Sequence, residues 1–274
     1  MPLSEAEIRR YHETGYLSPI RVFDEATARR YRARLEAVEN GTQEMKTALR
    51  YKPHLVFTFL DELVRHPRVL DAVEGVIGPN IFCWASSFFT KDANSRGFVS
   101  WHQDLTYWGL EPADIVTAWI ALSPSTPESG NMRVVPATHG MEVIQHKDTF
   151  AEGNLLSRGQ EIEVEVDEAE AVDITLQPGE MSLHHVKLIH GSGANRSNDR
   201  RIGFAVRYVP TYVRQVVGEK DSALLVRGED AYGYFEHEQS PVADLDPEDL
   251  ARHRISRERQ EQILFRGTGR AGFM

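Results

Sequence analysis

The segment Trp101-His102-Gln103-Asp104 places an imidazole and a carboxylate two residues apart. On a β-strand, residues two apart point to the same face and lie roughly 6 to 7 Å apart along the backbone. His102 and Asp104 are therefore expected to reach one cation together. Imidazole and carboxylate are common ligands of divalent transition metals, so the pair predicts part of a metal site.

A third ligand is predicted at His190, which ends the apolar segment 181–190 and precedes a glycine-rich turn. Two histidines and one carboxylate on one face of an octahedron leave three positions open, the arrangement of non-haem Fe(II) oxygenases. His184 and His185 are alternative third ligands, but neither precedes the glycine-rich turn. His185 is expected instead as a hydrogen-bond partner of a ligand or as a core histidine.

The next segment predicts a binding site for a carboxylate. Residues 194–199 have the composition of a hairpin turn, so the strand ending near Ser192 is expected to pair with one beginning near Arg200, which brings Arg201 close to His190. Because a guanidinium group binds carboxylates through two hydrogen bonds, Arg201 predicts such a contact. Strand alternation assigns two faces: Ile202, Phe204, Val206 and Tyr208 on one, and Arg201, Gly203, Ala205 and Arg207 on the other.

Helices are predicted for the first third of the chain, about 1–78. Ser4 and Glu7 form a capping box at the start of the first helix, and Tyr16 and Leu17 continue its helical spacing. A second helix is predicted from Asp24 to Glu39. Residues 55–76 are predicted as a third helix, interrupted near Pro67.

A β core is predicted over about 80–210, because short segments rich in β-branched and aromatic residues alternate with turns. These segments are 81–91, 98–105, 115–122, 132–136, 161–167, 172–176, 181–190 and 201–209. Ile162, Val164 and Val166 are expected to face inward. The pattern predicts one mainly β domain, residues 1–274, with a jelly-roll core, flanking N-terminal helices and a C-terminal loop and helix over 211–274.

Composition excludes several classes of protein. The chain has 274 residues, 41% hydrophobic and 26% charged, typical of a soluble globular protein. Lys and Arg number 31 against 41 Asp and Glu, and the net charge of −10 disfavours nucleic-acid or anionic-membrane binding. A lone cysteine, Cys83, excludes an internal disulfide and a cysteine-rich metal site. Without a secretory signal or an apolar run of roughly 18 residues, a cytoplasmic location is expected.

Four blocks of the sequence resemble the phytanoyl-CoA dioxygenase-like family of Fe(II)/2-oxoglutarate-dependent oxygenases. They are Gly78 to Ile81, Trp101 to Asp104, Gly130 to Gly140, and His190 to Ser197 followed by Arg201. The resemblance implies a double-stranded β-helix, the cupin-like jelly roll. It implies Fe(II) bound by His102, Asp104 and His190, and 2-oxoglutarate whose distal carboxylate contacts Arg201 and Ser192. It also implies co-substrate contacts at Trp119, Ser87 and Lys52.

The resemblance further implies hydroxylation of an unactivated C–H bond of a small organic substrate, with O2 consumed and succinate and CO2 released. Halogenating relatives lack the metal carboxylate, so Asp104 disfavours halogenation. Tyr107 and Trp108 are expected as an aromatic wall over the iron or as core packing, and Arg207 as a contact to an anionic substrate group or as a structural ion pair. Alternatives are desaturation, epimerisation or ring formation at the same iron, and a non-catalytic barrel that binds a small carboxylate.

Overall fold

The computed structural model describes residues 2–266 and 268, and its regular structure consists of β-strands and helices in about equal shares. The helices are α1 (Glu5–Thr14), α2 (Glu25–Glu39), α3 (Gln43–Ala48), α4 (Thr58–Val64), α5 (Pro67–Ile77) and α6 (Pro247–Leu264). The strands are β1 (Tyr16–Arg21), β2 (Ile81–Lys91), β3 (Val99–His102), β4 (Leu110–Glu111), β5 (Val116–Ala121), β6 (Met132–Val134), β7 (His146–Asp148), β8 (Gln160–Ile162), β9 (Val172–Ile174), β10 (Glu180–His185), β11 (His190–Ser192), β12 (Arg201–Pro210), β13 (Arg214–Gln215), β14 (Ser222–Arg227) and β15 (Glu236–His237).

The N-terminal helices begin where their capping residues predict. The Ser4 hydroxyl accepts a hydrogen bond from the Glu7 backbone N–H while the Glu7 carboxylate accepts one from the Ser4 backbone, so the capping box of α1 is present. Asp24 caps α2 in the same way. The predicted interruption near Pro67 is also present, because Pro67 is the first residue of α5.

Two sheets enclose the interior of the molecule. The larger has seven strands in the order β1-β10-β5-β12-β2-β14-β15, and the smaller has four in the order β3-β11-β6-β9. Apolar side chains from both sheets, among them Trp119, Met132 and Val134, form one buried cluster between them. This pair of facing sheets is the double-stranded β-helix, so the predicted fold is confirmed.

Strand β12 forms a wall between the helical layer and the interior. Phe204 and Tyr208 are buried in the core that the helices share with the larger sheet, and the Tyr208 hydroxyl donates to the Val64 carbonyl at 2.8 Å. The opposite face carries Arg201 and Gly203 toward the space between the sheets, as alternation predicts. A Cβ atom at Gly203 would lie 1.8 Å from the Trp119 ring, so only glycine fits there.

Two connections differ from the sequence predictions. Segment 181–190 is not one strand: β10 lies in the larger sheet, β11 lies in the smaller, and residues 186–189 cross between them. An apolar run does not reveal such a crossing, because both sheets bury it. The predicted hairpin across 194–199 is also wrong, since β12 pairs with β2 and β5 and not with β11. Arg201 therefore faces the smaller sheet across the interior.

Other differences lie at the edges of the fold. Gly15, with φ of 81°, ends α1, so Tyr16 and Leu17 begin strand β1 and do not extend the helix. In segment 161–167, Ile162 is buried as predicted, but Val164 is 49% exposed because the strand ends at Ile162. The predicted C-terminal loop contains β14, which extends the larger sheet before α6 begins. None of the helices in the described part of the chain combines the length and apolar character that crossing a bilayer requires.

Candidate active site

Three side chains predicted as metal ligands meet at one end of the interior. His102 and His190 face each other in register on β3 and β11, with ring centroids 4.1 Å apart. The His102 Nε2 atom lies 3.3 Å from Asp104 Oδ1. One ligand atom from each of the three residues lies within 4.8 Å of the other two. Within the described residues, this is the only group of three or more histidine, cysteine, aspartate or glutamate side chains with such spacing.

Hydrogen bonds to backbone carbonyls orient both imidazoles. His102 Nδ1 lies 2.9 Å from the Ser100 carbonyl oxygen, and His190 Nδ1 lies 2.9 Å from that of Leu188. Because a carbonyl oxygen only accepts, each Nδ1 must carry the hydrogen. The Nε2 lone pairs are then free for a cation, which is the usual arrangement of metal-binding histidines.

Asp104 reaches the cluster by a route that strand geometry did not predict. Strand β3 ends at His102, and Asp104 begins a short 3-10 turn, residues 104–107. The Asp104 backbone N–H donates to the Val186 carbonyl at 3.0 Å and fixes the start of this turn. The carboxylate is therefore directed to the histidines by a turn and not by strand alternation.

The two alternative histidines lie in different surroundings. His184 is buried beside the cluster, with Nε2 4.0 Å from Asp104 Oδ2, and its Nδ1 has no hydrogen-bond partner among the described residues. His185 points away from the cluster, with its ring 5.3 Å from that of His139. The neighbour of the cluster is therefore His184 and not His185, the residue expected as a hydrogen-bond partner of a ligand or as a core histidine.

Burial and neighbouring groups shift the pKa values of side chains at this cluster in directions that favour binding of a cation. Burial lowers the pKa of His190 well below its ordinary value, and burial lowers that of His184 to about 4. Burial acts to raise the pKa of Asp104, but its close contacts with His102 and His190 outweigh burial, so the pKa lies below its usual range. At neutral pH His184 and His190 are therefore neutral and Asp104 is ionised.

Next to the cluster is a small inner cavity of about 40 Å³, and Arg201 lines it. The Arg201 side chain is 2% exposed, and its Nη1 donates to the Gly130 carbonyl at 2.6 Å. Lys91 is buried beside it and donates to the same carbonyl at 3.2 Å. Burial and the Arg201 charge lower the pKa of Lys91 to about 6. No carboxylate of the described residues pairs with Arg201 or Lys91, so an anion would be strongly favoured beside the Arg201 guanidinium.

Ser192 and Trp119 line the same inner cavity. The Ser192 hydroxyl accepts from Lys91 Nζ at 2.7 Å, which leaves its own hydrogen free to donate. The Trp119 ring lies 5.3 Å from the Arg201 guanidinium carbon. Ser87 does not line the inner cavity. It lines a second, larger cavity that adjoins the inner one, and there its hydroxyl accepts a hydrogen bond from Arg207 at 2.6 Å.

Lys52 is not brought to either cavity. Its side chain is 0% exposed and donates to Glu238 Oε1 at 2.6 Å and to the Ser222 carbonyl at 2.8 Å. This pair joins the segment before α4 to the C-terminal part of the chain. The geometry therefore gives Lys52 a structural contact in place of the co-substrate contact expected from the sequence.

Lys52→Met is expected to lower the free energy of unfolding by about 3–5 kcal/mol, because it leaves the Glu238 carboxylate buried without its cation. Chemical denaturation measures this loss. The double variant Lys52→Met/Glu238→Leu is the control, and it should recover most of the stability because no buried charge remains. Native stability combined with weaker 2-oxoglutarate binding in Lys52→Met would instead favour the co-substrate contact.

A larger outer cavity of about 430 Å³ adjoins the inner one. Tyr107 and Trp108 line it, as do Asp104 and Arg207, which also line the inner cavity. The Tyr107 hydroxyl donates to Asp148 at 2.9 Å, while the Trp108 ring packs on that of Trp84 with centroids 4.9 Å apart. An aromatic wall therefore stands beside the cluster, and Arg207 lies at the junction of the two cavities.

Sequence reasoning missed several residues of these cavities. Thr117 lies on β5 and lines the inner cavity, with its buried hydroxyl unpartnered within the described structure. Arg158, Gln160 and Gln260 line the outer cavity and come from segments without a recognisable motif. Only Thr117 carried a usable signal, since it is two residues from Trp119 on the same strand face.

Comparison with known proteins gives consistent matches. The family model described as "Phytanoyl-CoA dioxygenase (PhyH)" matches residues 11–203. A "Probable alpha-ketoglutarate-dependent hypophosphite dioxygenase" of Stutzerimonas stutzeri is 33% identical over 159 residues, 56% of this chain and 55% of that protein. The matched regions span about half the length of the first curated relatives.

Two solved structures match this chain over a larger share of their own length than the curated relatives do. The structure described as "non-heme monooxygenase; ThoJ apo" is 34% identical, with a TM-score of 0.84, covering 94% of this chain and 96% of the other. A nickel complex of ThoJ is 32% identical, with a TM-score of 0.78, covering 93% and 97%. Because the family model matches well over half of the residues and includes all three clustered side chains, this chain belongs to the phytanoyl-CoA dioxygenase (PhyH) family.

Proposed function

We propose that this protein is an Fe(II)- and 2-oxoglutarate-dependent dioxygenase that hydroxylates a small organic molecule. The observation that carries the proposal is the meeting of His102, Asp104 and His190 beside a cavity whose wall holds the buried Arg201. Its similarity to a probable α-ketoglutarate-dependent dioxygenase and to a non-haem monooxygenase supports the same chemistry.

The three clustered side chains are the proposed iron ligands. Their donor set, two imidazole nitrogens and one carboxylate oxygen, is the one that Fe(II) oxygenases use, and it leaves coordination positions for other molecules. The carbonyl hydrogen bonds of His102 and His190 keep each Nε2 directed at the ion. Ferrous ion with 2-oxoglutarate and O2 supplies oxidation of a C–H bond, with succinate and CO2 as coproducts.

Arg201 is the proposed anchor of 2-oxoglutarate. Its Nε is buried without a hydrogen-bond partner in the described structure, and the Lys91 amino group lies beside it, donating to the same Gly130 carbonyl. A carboxylate bound there would satisfy the guanidinium and accept the free hydrogen of Ser192. Trp119 would pack along the co-substrate. Ser87 is proposed to act indirectly, by holding Arg207.

The primary substrate is proposed to occupy the outer cavity. Tyr107 and Trp108 would pack against its apolar part, and Arg207 would orient an anionic group next to the iron. The lining of the two cavities runs from residue 50 to residue 264. We therefore infer that the chain works as one functional unit, including its C-terminal helix.

Anaerobic addition of Fe(II) and then 2-oxoglutarate tests the proposal directly. A visible metal-to-ligand charge-transfer band is expected when both are present and not with either alone. Admission of air should then yield succinate. A protein that gives neither the band nor succinate would contradict the proposed activity, and binding of 2-oxoglutarate without metal would favour a non-catalytic carboxylate-binding barrel.

A further inference from the structure

Helix α6 contributes a wall of the outer cavity. Gln260 and Leu264 line it, although both lie beyond residue 203, where the match to the family model ends. This part of the cavity therefore lies outside the region that the family model matches. The α6 side chains that line the cavity therefore affect which substrate this protein accepts.

The Gln260 carboxamide has unmet hydrogen-bonding capacity. The residue is 0% exposed, and neither Nε2 nor Oε1 has a hydrogen-bond partner among the described residues. Gln160, another lining residue of the same cavity, is 9% exposed and has a buried Oε1 that is also unpartnered. Burying such groups unpaired is costly, so proteins rarely keep them without a partner. A ligand in the cavity is the partner that would satisfy them.

The charge of the cavity narrows the class of ligand. Its lining includes Arg50, Arg158 and Arg207, whereas Asp104, the proposed iron ligand, is the only carboxylate among the described residues that line it. Arg158 is paired with Asp148 outside the lining, but the Arg207 Nε is buried without a partner. The cavity therefore favours a ligand that carries a negative group.

We propose that Gln260 determines specificity by binding an amide group of the primary substrate, and that this substrate is a small carboxylate bearing an amide. The inference rests on the proposed function only in taking the outer cavity as the substrate site. An amide offers an N–H donor for Oε1 and a carbonyl acceptor for Nε2, so it satisfies both atoms of Gln260. A carboxylate alone accepts only and would leave Oε1 unpaired.

The test compares amides with esters that differ by one atom. The probes are N-acetyl-L-amino acids with apolar or aromatic side chains and the O-acetyl esters of the corresponding 2-hydroxy acids. The protein is first loaded with Ni(II) and 2-oxoglutarate, and quenching of tryptophan fluorescence then reports binding, since Trp84 and Trp108 line the cavity. The amide of the best-binding pair should bind roughly 10-fold more tightly than its ester, because the ester lacks the N–H donor.

Two methionine variants test whether Gln260 causes the preference for amides over esters. Gln260→Met should reduce the amide-to-ester ratio to about one, whereas Gln262→Met, two residues away on the exposed side of α6, should preserve it. No amide binding to the wild-type protein, no preference for amides, or a preference that survives in Gln260→Met would overturn the proposal. A thermal shift on addition of Ni(II) and 2-oxoglutarate reports the proposed function separately, so the two can fail independently.

Thermal unfolding of the ligand-free proteins gives a second readout. Gln260→Met should be at least as stable as the wild type, because the substitution removes a buried amide that has no partner. Gln262→Met should leave the midpoint unchanged. A lower midpoint for Gln260→Met alone would mean that the carboxamide is satisfied within the protein, and it would overturn the proposed role.

Discussion

Asp104→Ala is expected to weaken Fe(II) binding and to reduce 2-oxoglutarate turnover, each by at least about 100-fold, since even substitutions beyond the metal ligands typically cost 10- to 100-fold. The carboxylate is the only anionic group of the cluster, and its oxygen lies 3.3 Å from His102 Nε2. Without it, two neutral imidazoles would have to hold the cation. Anaerobic competition with a chromophoric chelator measures the affinity for Fe(II), and succinate formation measures turnover.

Asp92→Ala is the matched control for this variant. Its carboxylate is exposed and pairs with Arg200, so its removal should leave both measurements unchanged. Retention of Fe(II) affinity within a few-fold in Asp104→Ala would contradict the proposed ligand set. Loss of turnover with unchanged Fe(II) affinity would place Asp104 beside the metal and not on it.

Arg201→Met is expected to weaken 2-oxoglutarate binding by about 2–5 kcal/mol, or roughly 30- to several-thousand-fold. The guanidinium is 2% exposed, and only a water-excluded charge pair gives an effect of this size. Fe(II) affinity should be unaffected, because the clustered histidines do not depend on Arg201. Titration of 2-oxoglutarate into the metal-loaded protein measures the dissociation constant.

Arg200→Met separates this effect from a general loss of positive charge. Arg200 is the adjacent residue, but it points outward and pairs with Glu39 and Asp92. Its removal should cost some stability and leave 2-oxoglutarate affinity unchanged. Equal affinities in the Arg200 and Arg201 variants would show that the co-substrate binds elsewhere.

Short-range patterns predicted much of the site. Alternation along β12 placed Arg201 inward and Ile202 outward, and the structure confirms both. The spacing of His102 and Asp104 also predicted that they would meet, although a turn and not a strand brings the carboxylate into place. These features depend on a few neighbouring residues, so the sequence contains them directly.

Features that depend on distant parts of the chain were not predictable. Lys91 has no motif of its own, and its position beside Arg201 depends on the register in which β2 pairs with β12. Gln260 lies on a charged helix that looks solvent-facing until its packing is known. Strand β14 was missed for the same reason, since its pairing with β2 joins residues more than a hundred positions apart.

The two cavities are lined largely by different parts of the fold, and this difference has a consequence for protein engineering. The inner cavity is lined by residues of β2, β5, β12 and the smaller sheet, whereas much of the outer one comes from residues 154–158 and from α6, which belong to neither sheet. Random libraries confined to these peripheral segments would vary the residues that contact the primary substrate. They would leave the proposed iron ligands and the proposed 2-oxoglutarate site unchanged. New catalysts derived from this scaffold should therefore be sought there first.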